Sequence, residues 1–80
     1  IMASPNSSVV AGLTALNQGD YDKAIAQLEA AYQTPSDPTT LVKVQMGLVI
    51  AYKNVGDERA IALCETLIQH HDPQIQAWAL

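Results

Sequence analysis

The chain has 80 residues, a net charge of −4 and a pI of about 4.7, and 49% of its residues are hydrophobic. This length predicts one small domain, and four basic residues are too few for a nucleic-acid-binding surface. One cysteine cannot form an internal disulfide, and the longest apolar stretch, residues 41–52, is too short to span a membrane. We therefore expect no nucleic-acid partner and no membrane insertion by this segment.

The two ends of the sequence bear on its origin. Ile1-Met2 is an unusual start, and Leu80 ends the sequence without a capping residue. We expect a piece excised from a longer protein, and interpret residues 1–4 as a disordered start or a vector remnant. No signal sequence or lipidation motif is recognisable, which favours a cytoplasmic location but leaves the compartment of the longer protein open.

Capping and turn residues divide the chain into five predicted helices. A capping residue followed by proline, which suits the first turn of a helix, occurs at Ser4-Pro5, Asp37-Pro38 and Asp72-Pro73. A glycine that can close a helix, followed by a capping aspartate, occurs at Gly19-Asp20 and Gly56-Asp57. We therefore expect Gly19 to have a positive φ angle. The predicted helices are residues 5–18, 21–33, 38–54, 58–70 and 74–80.

Apolar spacing predicts which helix faces are buried. The clearest helical period lies on the second helix, in Tyr21, Ala24, Ile25, Leu28, Ala31 and Tyr32. The third helix is apolar on more than one side, which predicts that it is sandwiched between neighbours. The inward residues predicted for the fourth helix are Ala60, Ile61, Cys64, Leu67 and Ile68. The short fifth helix is expected to dock on the fourth as a cap and bury Trp78, with some self-association at high concentration.

The turn signals also repeat. Cap-proline pairs begin at residues 4, 37 and 72, and Gly-Asp turns begin at residues 19 and 56. This gives a period of 33 to 37 residues with two helices per unit. A single unit cannot bury its own apolar face, so the units are expected to stack.

Particular residues fit a known repeat signature. In the first unit the matching positions are Gly12, the turn at residues 19–25, Ala24, Leu28 and Ala31. In the second unit they are Leu48, Tyr52, Ala60 and Leu67. The chain resembles the tetratricopeptide repeat family over about residues 5–73. It departs from the family at the tryptophan positions, where it has Ser8 and Gln45, and at a glycine position, where it has Val49.

The resemblance implies an all-α fold of stacked antiparallel helix pairs, a tetratricopeptide-like α-solenoid of about five helices. Repeat one would occupy about residues 5–36 and repeat two about residues 38–71, with a capping or third-repeat helix at 73–80. Such helical repeats act as scaffolds that bind segments of other proteins on a concave face built by the first helix of each pair. The best-known version grips a carboxylate with Lys and Asn. That clamp is absent here, since Val9, Leu13 and Gly47 occupy matching positions.

Two stripes are expected to face the concave side in that arrangement. Lys43, Met46, Ile50 and Lys53 are spaced i, i+3, i+7 and i+10, with a lysine at each end. Together with an apolar stripe on the first helix, they would suit an apolar segment that carries an acidic group. The predicted peptide-binding residues are Val9, Leu13, Leu16, Asn17, Lys43, Met46, Ile50, Lys53 and Asn54. In the alternative interpretation, the apolar members only pack the two inner helices together.

Other chemistry is less well supported by the sequence. The residue types that bind metals cluster only at Cys64, His70, His71 and Asp72, where two adjacent histidines on a helix would point about 100° apart. Cys64 is expected to be a small buried residue. No catalytic triad or phosphate loop is recognisable, so we expect a non-enzymatic module with no cofactor. The alternatives are a structural spacer or self-association element without a peptide ligand, and metal binding at the two histidines.

Overall fold

The computed structural model describes residues 5–34 and 37–80, whose regular secondary structure is entirely helical. Its five helices are α1 (Pro5–Asn17), α2 (Tyr21–Tyr32), α3 (Pro38–Val55), α4 (Arg59–Ile68) and α5 (Pro73–Ala79). The predicted all-α fold with five helices is confirmed. The predictions for residues 1–4, including the Ser4 cap, and for the loop residues Pro35 and Ser36 lie outside the described residues. None of the described helices is both long and apolar enough to cross a membrane.

The predicted caps determine where most helices begin. The Asp20 carboxylate accepts a hydrogen bond from the backbone N–H of Lys23 at 3.2 Å. Asp37 accepts the N–H of Thr40 at 3.1 Å, and Asp72 accepts that of Gln74 at 2.9 Å. These carboxylates satisfy N–H groups that have no partner within the first turn of a helix.

The two Gly-Asp turns end α1 and α3. Gly19 has φ +77° and Gly56 has φ +74°, so the predicted positive φ of Gly19 is confirmed. In the second turn, the N–H of Gly56 donates to the carbonyl of Lys53, and that of Asp57 donates to the carbonyl of Tyr52. Glycine adopts this left-handed conformation without the steric cost that a Cβ atom would add.

The core is built around Leu28, which is fully buried on α2. A Cβ atom added at Gly12 of α1 would lie 2.6 Å from Leu28 Cγ, and one added at Gly47 of α3 would lie 2.9 Å from Leu28 Cδ1. Both distances are shorter than real Cβ contacts, so the two glycines let α1 and α3 close on Leu28. The two buried clusters of the core comprise Val9, Leu28, Ala31, Val44, Leu48 and Tyr52, and Ala15, Ala24 and Ala51.

Helix α3 lies between the other helices. It contacts α1, α2 and α4, and its buried residues are Val44, Gln45, Gly47, Leu48, Val49, Ala51 and Tyr52. This confirms the prediction that the third helix is sandwiched. The one buried polar side chain among the described residues, Gln45, donates from Nε2 to the Tyr32 hydroxyl at 3.2 Å, which satisfies its amide.

The predicted orientation and length of α4 are partly wrong. Ile61, predicted to face inward, is 62% exposed, whereas Leu67 is buried and Leu63 packs against the core. Ala60, Leu63 and Leu67 are spaced i, i+3 and i+7, and this stripe is the one that packs inward. The helix ends at Ile68 rather than near His70. The sequence offers apolar residues on two sides of α4, and contact with α3 selects one of them.

Helix α5 packs against α4, but the predicted burial of Trp78 is wrong. Trp78 is 41% exposed, and α5 contributes no fully buried residue. Among the described helices α5 contacts α4 alone, so no second helix covers the side of α5 that carries Trp78.

Candidate functional site

The candidate site lies on the side of α3 that faces away from the core. Lys43, Ile50 and Lys53 are exposed there, and Met46 between them is half-buried. The residues flanking this stripe on α3 supply the buried contacts with α1, α2 and α4. The lysine-flanked stripe is therefore available for contact with another molecule.

A cleft separates this face of α3 from α5. Both helices are described in full, and no Cα atom of one lies within 8 Å of a Cα atom of the other. The first half of α3 faces the start of α5, and its second half faces the end of α5, so the two helices run in the same direction. One pocket lies at each end of this α3–α5 cleft. The cleft exists because α5 packs on α4 instead of α3.

The tryptophan pocket, of about 570 Å³, lies at the end of the cleft near Lys53. It is lined by Val49, Ile50, Lys53 and Asn54 from α3, Cys64 from α4, and Trp78, Ala79 and Leu80 at the end of the chain. Ile50 is 37% exposed, Trp78 41% and Leu80 88%, so its walls present large apolar groups to solvent. Lys53 is the only charged residue of this lining, which contains no carboxylate among the described side chains.

Two polar side chains at this pocket, Asn54 and Lys53, differ in their intramolecular partners. The Asn54 side chain donates from Nδ2 to the carbonyl of Ile50 at 2.8 Å, which fixes the position of the amide. Lys53 forms no ion pair with any of the described carboxylates. Its ammonium group can therefore pair with an acidic group of another molecule without first losing an intramolecular partner.

The lysine–histidine pocket, of about 380 Å³, lies at the other end of the cleft. Lys43 of α3 faces the turn between α4 and α5, where the rings of His70 and His71 stack with centroids 4.4 Å apart at 22°. The backbone N–H of Asp72 donates to His70 Nδ1 at 3.0 Å, so the neutral ring carries its proton on Nε2.

The two histidines do not have the predicted geometry. They were expected to diverge on a helix, but α4 ends before them and the turn stacks their rings. Within residues 5–34 and 37–80, no three His, Cys, Asp or Glu side chains are grouped as a metal ion would require.

The predicted peptide-binding residues fall into two groups. Ile50, Lys53 and Asn54 meet in the tryptophan pocket, and Lys43 lines the opposite end of the cleft. The predicted stripe on α1 does not line the cleft. Val9 is only 8% exposed and belongs to the core. Leu13 and Leu16, which are partly buried, approach Gly47 of α3. These α1 side chains pack α1 and α3 together, and Asn17 is exposed at the end of α1.

The sequence-based set omitted Val49, Cys64, Trp78, Ala79 and Leu80. Trp78 was assigned to a buried cap, but α5 contacts α4 alone among the described helices and leaves the indole partly exposed. Cys64 is half-buried on the wall of the pocket. No described histidine and no described side-chain carboxylate lines the pocket beside this thiol.

A third pocket, of about 280 Å³, is bordered by a closed charge network. The Arg59 guanidinium lies 4.4 Å from the Tyr52 ring centroid and pairs with Glu29 of α2 at 3.2 Å and Asp57 at 2.7 Å. Hydrogen bonds from Arg59 lower the pKa of Asp57, and the same contact raises the pKa of Arg59. Burial raises the pKa of the Tyr52 hydroxyl. Because these charged groups pair with one another, we interpret this cluster as a structural link between the two helices, which we call the tie between α2 and α4.

Comparison with known proteins adds no relative to this description. No family model, no curated protein and no solved structure matches the chain. The candidate site is therefore defined by its geometry. It is an open cleft with exposed apolar walls, an indole at one end and, at each end, a lysine that pairs with no described carboxylate.

Proposed function

We propose that the chain is a non-catalytic protein-interaction module that binds an apolar segment with acidic flanks in the α3–α5 cleft. One observation carries the proposal. Ile50, Trp78 and Leu80 present apolar surface around Lys53, in a pocket whose described lining contains no side-chain carboxylate. Exposed apolar surface bordered by polar groups is typical of interaction sites.

The chemistry of the cleft defines the partner. Tryptophan is among the residues that contribute most binding energy at interfaces, because a large rigid surface is buried at little entropic cost. Burying Ile50 and Trp78 against a partner would supply the apolar part of the affinity. Lys53 would favour partners with a carboxylate near that contact, and Lys43 would do the same at the far end. The segment that fits is an amphipathic helix with acidic residues at its ends.

The resemblance to tetratricopeptide repeats supports the same class of function. Such repeats bind segments of other proteins, and the lysine-flanked stripe lies on the helix that the resemblance assigns to the concave face. Under this proposal the chain acts without a cofactor, and α1 supports the cleft from behind, where Leu13 and Leu16 approach Gly47 of α3.

Trp78 provides the measurement that tests the proposal. A designed amphipathic helical peptide with leucines on one face and glutamates at both ends is titrated while Trp78 fluorescence is recorded. We expect a blue shift that saturates, because the partner removes water from the indole. The same peptide with lysines in place of the glutamates is the matched ligand control and should bind much more weakly.

A pair of charge reversals tests the position of the site. Lys53→Glu should weaken binding of the acidic peptide by about tenfold or more, because it places like charges together. Lys23→Glu makes the same charge change on an exposed residue of α2 and should leave binding unchanged. Equal binding of both peptides, or equal loss in both variants, would contradict the proposed site.

A further inference from the structure

The outward face of α4 carries a second exposed stripe. Glu58, Ile61 and Glu65 are spaced i, i+3 and i+7, and all three are exposed. Ile61 is 62% exposed, whereas Leu67 on another side of the same helix is buried. Neither glutamate forms an ion pair with a described basic side chain. We call this set the acidic stripe.

The acidic stripe is the chemical counterpart of the α3–α5 cleft. On α3, two lysines flank Met46 and Ile50. Ile61 of α4 is likewise flanked by Glu58, which directly precedes the helix, and by Glu65. The lysines are ten residues apart, about 15 Å along the helix, and the glutamates are seven residues apart, about 10 Å. Flexible lysine and glutamate side chains can span the difference. Both stripes therefore offer an apolar contact, and each carries the charge opposite to that of the other.

We propose that the acidic stripe of one copy of this chain docks in the α3–α5 cleft of a second copy. This inference rests on the proposed function, since it names an occupant for the same cleft. The acidic stripe points away from the core of its own molecule, so it meets a cleft most directly on another molecule. We choose a second copy as the partner because the charges are complementary. The two lysines of the cleft and the two glutamates of the acidic stripe pair with no described side chain in one copy, and they gain partners in this contact.

The contact joins two different patches. Such heterologous contacts can add copies in succession or close into a ring, so the mass of the assembly grows with concentration. The apolar surface involved is modest, and the entropy of association opposes it, so the contact is weak and depends on concentration and salt.

Sedimentation analysis of the full chain tests the inference. At low salt, the average mass should rise as the concentration increases to the millimolar range, and added salt should reduce it. Lys43→Glu/Lys53→Glu gives a chain with two acidic patches, and Glu58→Lys/Glu65→Lys gives a chain with two basic patches. Each variant alone should stay monomeric, because like charges now face each other. An equimolar mixture of the two should associate, because every contact between unlike variants is complementary again.

Matched controls separate this contact from general charge effects. Lys23→Glu and Asp22→Lys change exposed charges on α2 and should associate as the unchanged chain does. A monomer at every concentration, or a mixture that fails to associate, overturns the inference. If the acidic peptide still shifts Trp78 emission under those conditions, the proposed function stands without it. If the variants mix as expected but the peptide does not bind, the self-contact stands and the cleft is specific for it.

Discussion

The first three helices and the last two use similar apolar side chains in different ways. In α1–α3 these side chains meet in a core around Leu28, which is fully buried. Among the described residues of α4 and α5, Leu67 is the only buried hydrophobic one, while Ile61 and Trp78 face solvent. The first three helices therefore bury most of the core, and the last two leave apolar surface exposed. Under the proposed function, that surface is available to a partner.

Small residues explain much of the difference. Gly12 and Gly47 let α1 and α3 approach Leu28 from both sides, and the fully buried Ala24 reduces the separation of helices further. At the other end, α5 has seven residues and meets only α4 closely. Close helix packing therefore does not extend from α3 to α5, and the α3–α5 cleft is the space that remains between them.

The largest expected effect comes from removing the side chain at the centre of the core. Leu28→Ala should lower the free energy of unfolding by about 2–5 kcal/mol, because the rigid surroundings cannot close the cavity. Ile61→Ala should change it by less than about 0.5 kcal/mol, because Ile61 is exposed. Leu67→Ala is the matched control, with equal burial but a position on α4. It should cost less than Leu28→Ala. Equal losses at positions 28 and 67 in denaturant unfolding would contradict the proposed difference between the regions.

The two glycines around Leu28 provide the next comparison. Gly12→Ala places a methyl group 2.6 Å from Leu28 Cγ and 3.3 Å from the Leu28 backbone nitrogen. Overpacking of this kind costs about 1–3 kcal/mol, and the higher helix propensity of alanine returns up to about 1 kcal/mol. We expect net destabilisation in thermal unfolding.

Gly47→Ala is the control for that substitution. Its methyl group meets mainly Leu28 Cδ1, the end of a flexible side chain. The clash should be relieved more easily, so the propensity gain offsets more of it. If Gly47→Ala destabilised the domain more than Gly12→Ala, the approach of α1 to Leu28 would not be the tighter of the two helix contacts.

A smaller effect is expected at the tie between α2 and α4. Arg59→Gln removes the pairs with Glu29 and Asp57 and the contact with Tyr52. Because the arginine is exposed, we expect little change in global unfolding but faster amide exchange in α4. Exchange in α1–α3 should stay the same. Lys53→Gln serves as the control, and faster exchange throughout the chain in Arg59→Gln would contradict a local tie.

The smallest effect is a dependence on acid. Hydrogen bonds from the Thr40 side chain lower the pKa of Asp37, and hydrogen bonds from Arg59 lower the pKa of Asp57. A lowered folded-state pKa stabilises the fold above the ordinary value, about pH 4, and this contribution is lost as the pH falls through the folded-state pKa. Protonation of Asp57 also weakens the tie at Arg59. We therefore expect NMR signals at the start of α4 to change as the pH falls below about 4, where Asp57 becomes protonated.

Two substitutions make that prediction specific. Asp57→Asn should remove most of the acid response of α4, and Asp37→Asn should leave it in place while altering the start of α3. Each variant is the control for the other, since both remove one exposed carboxylate that caps a helix start. An acid response in α4 that persists in Asp57→Asn would place its origin elsewhere.

Local chemistry encoded the helices and turns. A glycine that can adopt positive φ at residues 19 and 56, and aspartates that accept N–H bonds at 20, 37 and 72, act within a few residues. Their effect can therefore be predicted from sequence, as can the sandwiched position of α3, whose buried residues lie on more than one side of the helix. The lysines and Ile50 of the cleft lie on the stripe that stays exposed.

Where a helix has apolar residues on more than one side, only the tertiary structure decided which of them are buried. Ile61 and Leu63 of α4 are both apolar, and Leu63 packs against the core while Ile61 stays exposed. Val9 joined the core because α1 turns its stripe towards α3, and Trp78 stayed partly exposed because α5 packs on α4 alone. Periodicity indicates which residues can share a helix face. Whether that face meets another helix depends on the space between helices, which is set by side chains far apart in the sequence.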